Sequence, residues 1–180
     1  MGLKERKEIE DQLAGMNPFM QLEFLEKMLK KTETFDVKSF IHTKLAEIYS
    51  KRGMFAEAAK NMENGGEIAV TFREKREEFM KAIEIYIKAG DYGKIDIVLN
   101  KALSYANESE KPALKEQRKK MMVEQAERFE KDGKNNNALK MYELLFRIVN
   151  EQEREIIKNK MIPLYERLGK IREANALKIK

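Results

Sequence analysis

Cysteine is absent from the 180-residue sequence, which excludes a disulfide framework and any thiolate metal site. Histidine occurs once, at His42, so a zinc site would have to be built from carboxylates. A Ser-His-Asp arrangement would have to use this same residue, and no Gly-x-Ser-x-Gly elbow accompanies it. Next to Ile41 on a helix, His42 reads as a satisfied structural or surface histidine. Three prolines and nine glycines leave little room for irregular structure. No apolar run approaches the roughly 18 residues of a membrane span. Met1–Leu13 is charged throughout, unlike a signal peptide. These absences predict a soluble cytoplasmic protein with no membrane insertion, no cofactor and no catalytic centre.

What is present is charge, apolar periodicity and a repeat. Hydrophobic residues make up 42% of the chain and charged residues 37%, the proportion of helices with long solvated faces. The 36 basic and 31 acidic residues are interleaved, for a net charge of +5. An aromatic four residues before a glycine recurs as Tyr49, Tyr86, Phe129 and Tyr165, ahead of Gly53, Gly90, Gly133 and Gly169. Five residues after the glycine stand Ala58, Ile95, Ala138 and Ala174. The glycines lie 37, 43 and 36 residues apart, a period that signals stacked helical hairpins. A glycine in the left-handed conformation ends one helix, and an alanine lets the next approach closely. Each hairpin leaves an apolar face that its neighbour must cover.

In chain order, residues 3–14 form a weak helix pointed by Leu3, Ile9 and Leu13, and Asn17-Pro18 starts a second that stops near Lys31. This pair, residues 1–35, reads as an N-terminal cap for one continuous array of four hairpins over 36–180. Asp36 is placed as the cap of the third helix. The helix after Gly53 is expected to end at Gly65-Gly66; that pair lacks the lysine and serine of a phosphate loop. A single helix is expected from Glu67 to Ala89, with Phe72 and Phe79 inside, and Asp91 is placed as the next cap. Asn107 and Glu110, spaced like a capping box, mark a break over Asn107–Lys111 that is expected to be the most flexible point. Pro163 predicts a kink or boundary near Asn159–Ile162. In the short last helix, Lys178 stands where earlier repeats hold Met62, Leu99 and Tyr142, as suits a terminal helix.

Two basic clusters, Lys115, Arg118, Lys119 and Lys120 on one helix and Lys4, Arg6 and Lys7 on another, could neutralise phosphates. Interleaved glutamates and the lack of an exposed aromatic series make nucleic-acid binding the second reading. Glutamates elsewhere, as in the run Arg73–Glu78, read as ion-paired helix surface. Lys101 reads as part of a charged face, neutral to substitution.

The order apolar-Ala-x-x-Tyr-x-x-x-Gly-x-Phe-x-x-Ala over Leu45–Ala58 resembles the tetratricopeptide repeat. The copies at Gly90 and Gly133 match in part and that at Gly169 least, and the resemblance covers roughly residues 37–180. The longer helices are similar to the SNAP-type relatives of that family. The resemblance implies an all-α, right-handed superhelix of about five antiparallel hairpins, whose groove binds a peptide or helix of another protein. Chaperone-binding members carry a Lys-Asn clamp for a terminal carboxylate. The matching positions here are Thr43 and Glu47, Met80 and Glu84, and Val123 and Glu127, so the clamp is absent.

Six and two residues before each glycine stand Glu47 and Lys51, Glu84 and Lys88, Glu127 and Lys131, then Pro163 and Arg167. The first three pairs read most simply as i,i+4 helix stabilisation, worth about 0.3–0.5 kcal/mol each. They also define a charge ladder that a mixed-charge partner could read along the groove. The reading is of a non-enzymatic interaction scaffold for a protein or peptide partner. Ile171, Ala174, Leu177 and Ile179 on the last helix further predict a weak homodimer through the C-terminal hairpin.

Overall fold

The computed structural model describes residues 2–179, with side chains from 4 to 179, so the Leu3 side chain and Lys180 lie outside the described residues. Among the described residues there are ten α-helices and no strand: α1 (Gly2–Leu13), α2 (Pro18–Lys31), α3 (Phe35–Lys51), α4 (Phe55–Ile68), α5 (Phe72–Ala89), α6 (Gly93–Ser104), α7 (Lys111–Lys131), α8 (Asn135–Phe146), α9 (Glu151–Arg167) and α10 (Ile171–Ile179). They form two compact units, Met1–Lys115 and Glu116–Lys180, the division falling within α7.

The four repeat glycines are the only positive-φ residues among those described, at φ 74°, 76°, 70° and 73°. Their spacing from the aromatic has a hydrogen-bond cause. The amide after each glycine donates to the aromatic's carbonyl: Met54 to Tyr49 at 2.9 Å, Asp91 to Tyr86 at 3.1 Å, Lys134 to Phe129 at 2.8 Å and Lys170 to Tyr165 at 2.9 Å. This 6→1 closure is the Schellman motif, which satisfies a carbonyl the helix end would leave orphaned. Helix starts are equally local. The Asn17 side chain accepts from the Phe19 and Met20 amides, both at 3.0 Å. Asn107 and Glu110 bond reciprocally ahead of α7 at 3.0 Å each.

In the first unit α1 and α2 pack on α3, burying Ile9, Leu13, Leu22, Leu25, Val37, Ile41 and Leu45 in one cluster. The most extensive helix contacts are those of α4 with α3 on one side and with α5 on the other. They explain Gly65-Gly66, which do not end the helix as expected but lie inside α4 and buried. A Cβ on Gly65 would come within 3.4 Å of the His42 Cβ and the Ser39 carbonyl of α3, and one on Gly66 within 2.9 Å of the Phe79 ring of α5. The glycines let three helices close together, and Ser39 Oγ donates to the Gly65 carbonyl at 3.0 Å across the contact.

Four further expectations are corrected. Thr34, not Asp36, occupies the N-cap of α3; Asp36 lies in the first turn, where it offsets the helix dipole and receives Arg6. The helix expected over Glu67–Ala89 is broken before α5, where Thr71 and Glu74 make a capping box, and Phe72 is 65% exposed rather than inside. Tyr92 rather than Asp91 is the N-cap of α6. Pro163 neither ends nor divides α9: it is exposed, and the helix continues through Asn159–Ile162 to Arg167. In the second unit α9 packs on α8 and α10, and Leu139, Met141, Tyr142, Leu145, Leu164 and Ala174 are fully buried or nearly so.

The glycine contacts yield an ordering. Gly66→Ala should destabilise by about 1–3 kcal/mol, because Phe79 is fully enclosed and cannot yield. Gly65→Ala meets ordinary contact distances and should be neutral or gain up to about 1 kcal/mol of helix propensity. Urea denaturation of the two variants measures the order, and equal midpoints would contradict it.

Candidate functional site

The seven charged residues of the expected groove all reach the surface. Glu47, Lys51, Glu84, Glu127, Lys131 and Arg167 are exposed and Lys88 is half-buried. The i,i+4 pairing is formed in only one copy, Glu84 to Lys88 at 2.6 Å. Glu47 instead meets Lys44 at 3.7 Å, and Lys44 reaches Glu10 of α1 at 2.9 Å. Among the described residues Glu127 and Lys131 make no ion pair with each other. Of the three i,i+4 pairs, one is closed as an ion pair. Of the clamp-equivalent positions, Met80 is buried and Thr43 donates to Glu78 at 3.1 Å.

The recurring aromatics do more than fill space. Tyr49 donates its hydroxyl to Glu26 of α2 at 3.2 Å, Tyr86 to Glu63 of α4 at 2.6 Å, and Tyr165 to Glu143 of α8 at 2.7 Å. The acceptor precedes the donor by 23, 23 and 22 residues, so the bond ties each first helix to the second helix of the preceding hairpin. The remaining copy has Phe129, with no hydroxyl, and Ala106 in the acceptor's place, so the sequence lacks both halves there. Burial, and then the adjoining carboxylate, push the Tyr49, Tyr86 and Tyr165 phenols above their ordinary range. Tyr142 makes a related bond to Glu130 at 2.5 Å within its own hairpin.

The buried bond among these, Tyr86 to Glu63, is part of a network. Glu63 is 9% exposed and takes Lys101 of α6 at 2.7 Å as well as Tyr86, while Lys101 also bonds Glu67. Burial alone would raise the Glu63 carboxyl, but the Lys101 ammonium and Tyr86 phenol outweigh it and hold it below the usual range. Lys101 is thus not the indifferent surface cation expected from sequence. The Glu-to-Tyr spacing is the one signal that could have revealed the network, because it follows the repeat.

No protein-family model matches the sequence, and no curated protein matches it significantly. The site therefore rests on its own geometry.

The basic clusters are engaged in part: Lys7, Lys115 and Lys120 are exposed and make no ion pair among the described residues. Arg118 is buried, and Lys119 bonds Glu116 and Glu153 at 2.7 Å each. Arg6 is held by Asp36, and Lys4 lies 4.0 Å from Glu8. His42 Nδ1 pairs with Asn61 Oδ1 at 3.0 Å, joining α3 to α4. Among the described residues no three metal-ligating side chains converge, and no helix is long and apolar enough to cross a membrane.

Lys101→Ala should cost about 1–3 kcal/mol by leaving a buried carboxylate short of a partner, whereas the exposed Lys60→Ala should cost under about 0.5 kcal/mol. Because the folded Glu63 value is depressed, the Lys101 contribution is present above the ordinary carboxylate pKa of about 4.3 and is lost as pH falls through the folded value. Urea titrations at neutral and acid pH should show the gap between wild type and Lys101→Ala closing on acidification. A gap independent of pH would contradict the network.

Proposed function

We propose that this chain is a non-enzymatic protein-interaction module of tetratricopeptide-like hairpins, in the right-handed superhelical arrangement that resemblance implies. It binds a peptide or helix of a partner protein on the exposed faces of its first helices, α3, α5, α7 and α9. The observation that carries the reading is recurrence at the surface. Each of these helices ends in the same aromatic–glycine turn and presents solvent-accessible side chains at the same two positions before the glycine. The recurrence of charge at these solvent-accessible positions of α3, α5 and α7 supports a role in recognition. The engagement of Arg6, Arg118 and Lys119 within the chain supports a protein partner over nucleic acid.

The test is the double exchange Glu84→Lys with Lys88→Glu, which keeps the ion pair while reversing its sense. Stability should fall by no more than a few tenths of a kcal/mol, from the reversed orientation and helix dipole. Affinity for the protein partner recovered from the native source should drop by about tenfold or more, roughly 1.4 kcal/mol. Unchanged affinity would remove the ladder from recognition.

Self-association through the C-terminal hairpin belongs to the same proposal, supported by Ile171 at 51% and Ile179 at 86% exposure. Sedimentation equilibrium should detect a dimer at about millimolar concentration, the weak end of specific association. A strict monomer there would end the idea.

A further inference from the structure

Charge is distributed unevenly along the chain. Met1–Lys115 holds 20 basic and 20 acidic residues, and Glu116–Lys180 holds 16 basic and 11 acidic, so the net charge of +5 resides wholly in the second unit. Within α9 every carboxylate is already engaged. Glu151 meets Arg154 at 3.2 Å, Glu153 meets Lys119 at 2.7 Å, Glu155 meets Lys158 at 3.3 Å and Glu166 meets Lys178 at 2.7 Å. Lys160 and Arg167 are exposed and make no ion pair among the described residues. They share one stripe with Ile156 and Pro163, the four falling within about 60° of the helix circumference at 100° per residue. Ile156 is 63% exposed, Pro163 is exposed, and the flanking Gln152 and Asn159 are exposed and uncharged. The acidic residue nearest the stripe, Glu153, is neutralised by Lys119, and Glu155 and Glu166 on the other side are neutralised by Lys158 and Lys178.

From this arrangement we infer that the outer stripe of α9 docks an acidic amphipathic helix of a partner protein. Lys160 and Arg167 are seven residues apart, about 10 Å along the axis, which matches carboxylates two turns apart on a partner helix. An apolar side chain between those carboxylates covers Pro163, and a second one a turn beyond the carboxylate at Lys160 covers Ile156. Phosphates would be drawn to the same cations, but they gain nothing from Ile156, and the stripe has no aromatic ring on which a base could stack. The inference rests on the protein-binding reading and names the chemistry of the partner for the second unit.

The test uses the full chain and fluorescence anisotropy. The probe is a labelled alanine-based helical peptide of about 16 residues, with glutamates two turns apart, a leucine between them and a second leucine one turn outside them, all on the same face. Its companions are the same peptide with lysines for glutamates and a single-stranded DNA of similar length. The acidic peptide should bind and the lysine peptide should not. The double variant Lys160→Gln with Arg167→Gln should weaken binding about tenfold or more, and Ile156→Ser about threefold or more. All three positions are exposed, so the variants should keep their helices, which circular dichroism checks. Equal binding of the two peptides, or no loss in the double variant, overturns the inference. So does DNA binding as tight as the acidic peptide's with Ile156→Ser without effect, which would make the stripe a phosphate surface. The Glu84→Lys, Lys88→Glu exchange lies in the other unit and should leave this probe's affinity unchanged. Failure of the ladder and failure of the α9 stripe are thereby told apart.

Discussion

Each repeat turns on one backbone hydrogen bond, from the amide after a left-handed glycine to the carbonyl of the aromatic residue five positions earlier. The φ of about +75° that this closure requires carries a steric cost of roughly 1–2 kcal/mol for a residue with a Cβ, and glycine escapes it. Because the closure fixes the aromatic in the last turn of its helix, it also fixes where the ring and hydroxyl emerge. At Tyr49, Tyr86 and Tyr165 that hydroxyl meets a carboxylate on the second helix of the preceding hairpin. One turn geometry thus determines both the reversal of the chain and a stitch between neighbouring hairpins. The chain divides into its two units within α7, the helix of the copy in which Phe129 and Ala106 supply neither half of that stitch.

Close helix contact in the first unit depends on side chains that are missing. With Gly66 against the Phe79 ring, α4 approaches α5 more closely than a larger residue would permit, and Gly65, Ala58 and Ala59 are buried in the same helix. Two glycines inside a helix each weaken it by nearly 1 kcal/mol relative to alanine. The contacts they permit offset that, including full enclosure of Phe79 and the Ser39 bond to the Gly65 carbonyl. The buried Glu63 is tolerable for a related reason: with Tyr86 and Lys101 both directed at it, the desolvated charge is compensated.

Ion pairing sorts the surface into engaged and available charge. Cations that look alike in sequence differ in role once their neighbours are known. Lys119 is occupied by two glutamates, Arg6 by Asp36, and Lys101 by a buried carboxylate, whereas Lys160 and Arg167 remain open on α9. Recognition by charge depends on the second kind, since a cation already paired has little left to gain from a partner.

The features legible in the sequence were those set by local physics. The four glycine turns, the Asn17 cap and the reciprocal Asn107–Glu110 bonds each involve residues at most five apart, so their chemistry is written in consecutive positions. The ladder positions were marked by their fixed offset before each repeat glycine, and all of them reach the surface. What could not be read depended on residues brought together from a distance. Gly65-Gly66 has the composition of a helix stop, and only the approach of Ser39, His42 and Phe79 makes it a packing site inside a helix. Pro163 lies inside an unbroken α9 with its ring exposed, a continuity that the sequence pattern did not reveal. Lys101 owes its role to Glu63, 38 residues away, and the tyrosines owe theirs to glutamates 22 or 23 residues back. Sequence by itself determined where the chain turns, because a turn is closed by its own backbone; tertiary structure decided which side chains are used up, because that depends on what each one meets.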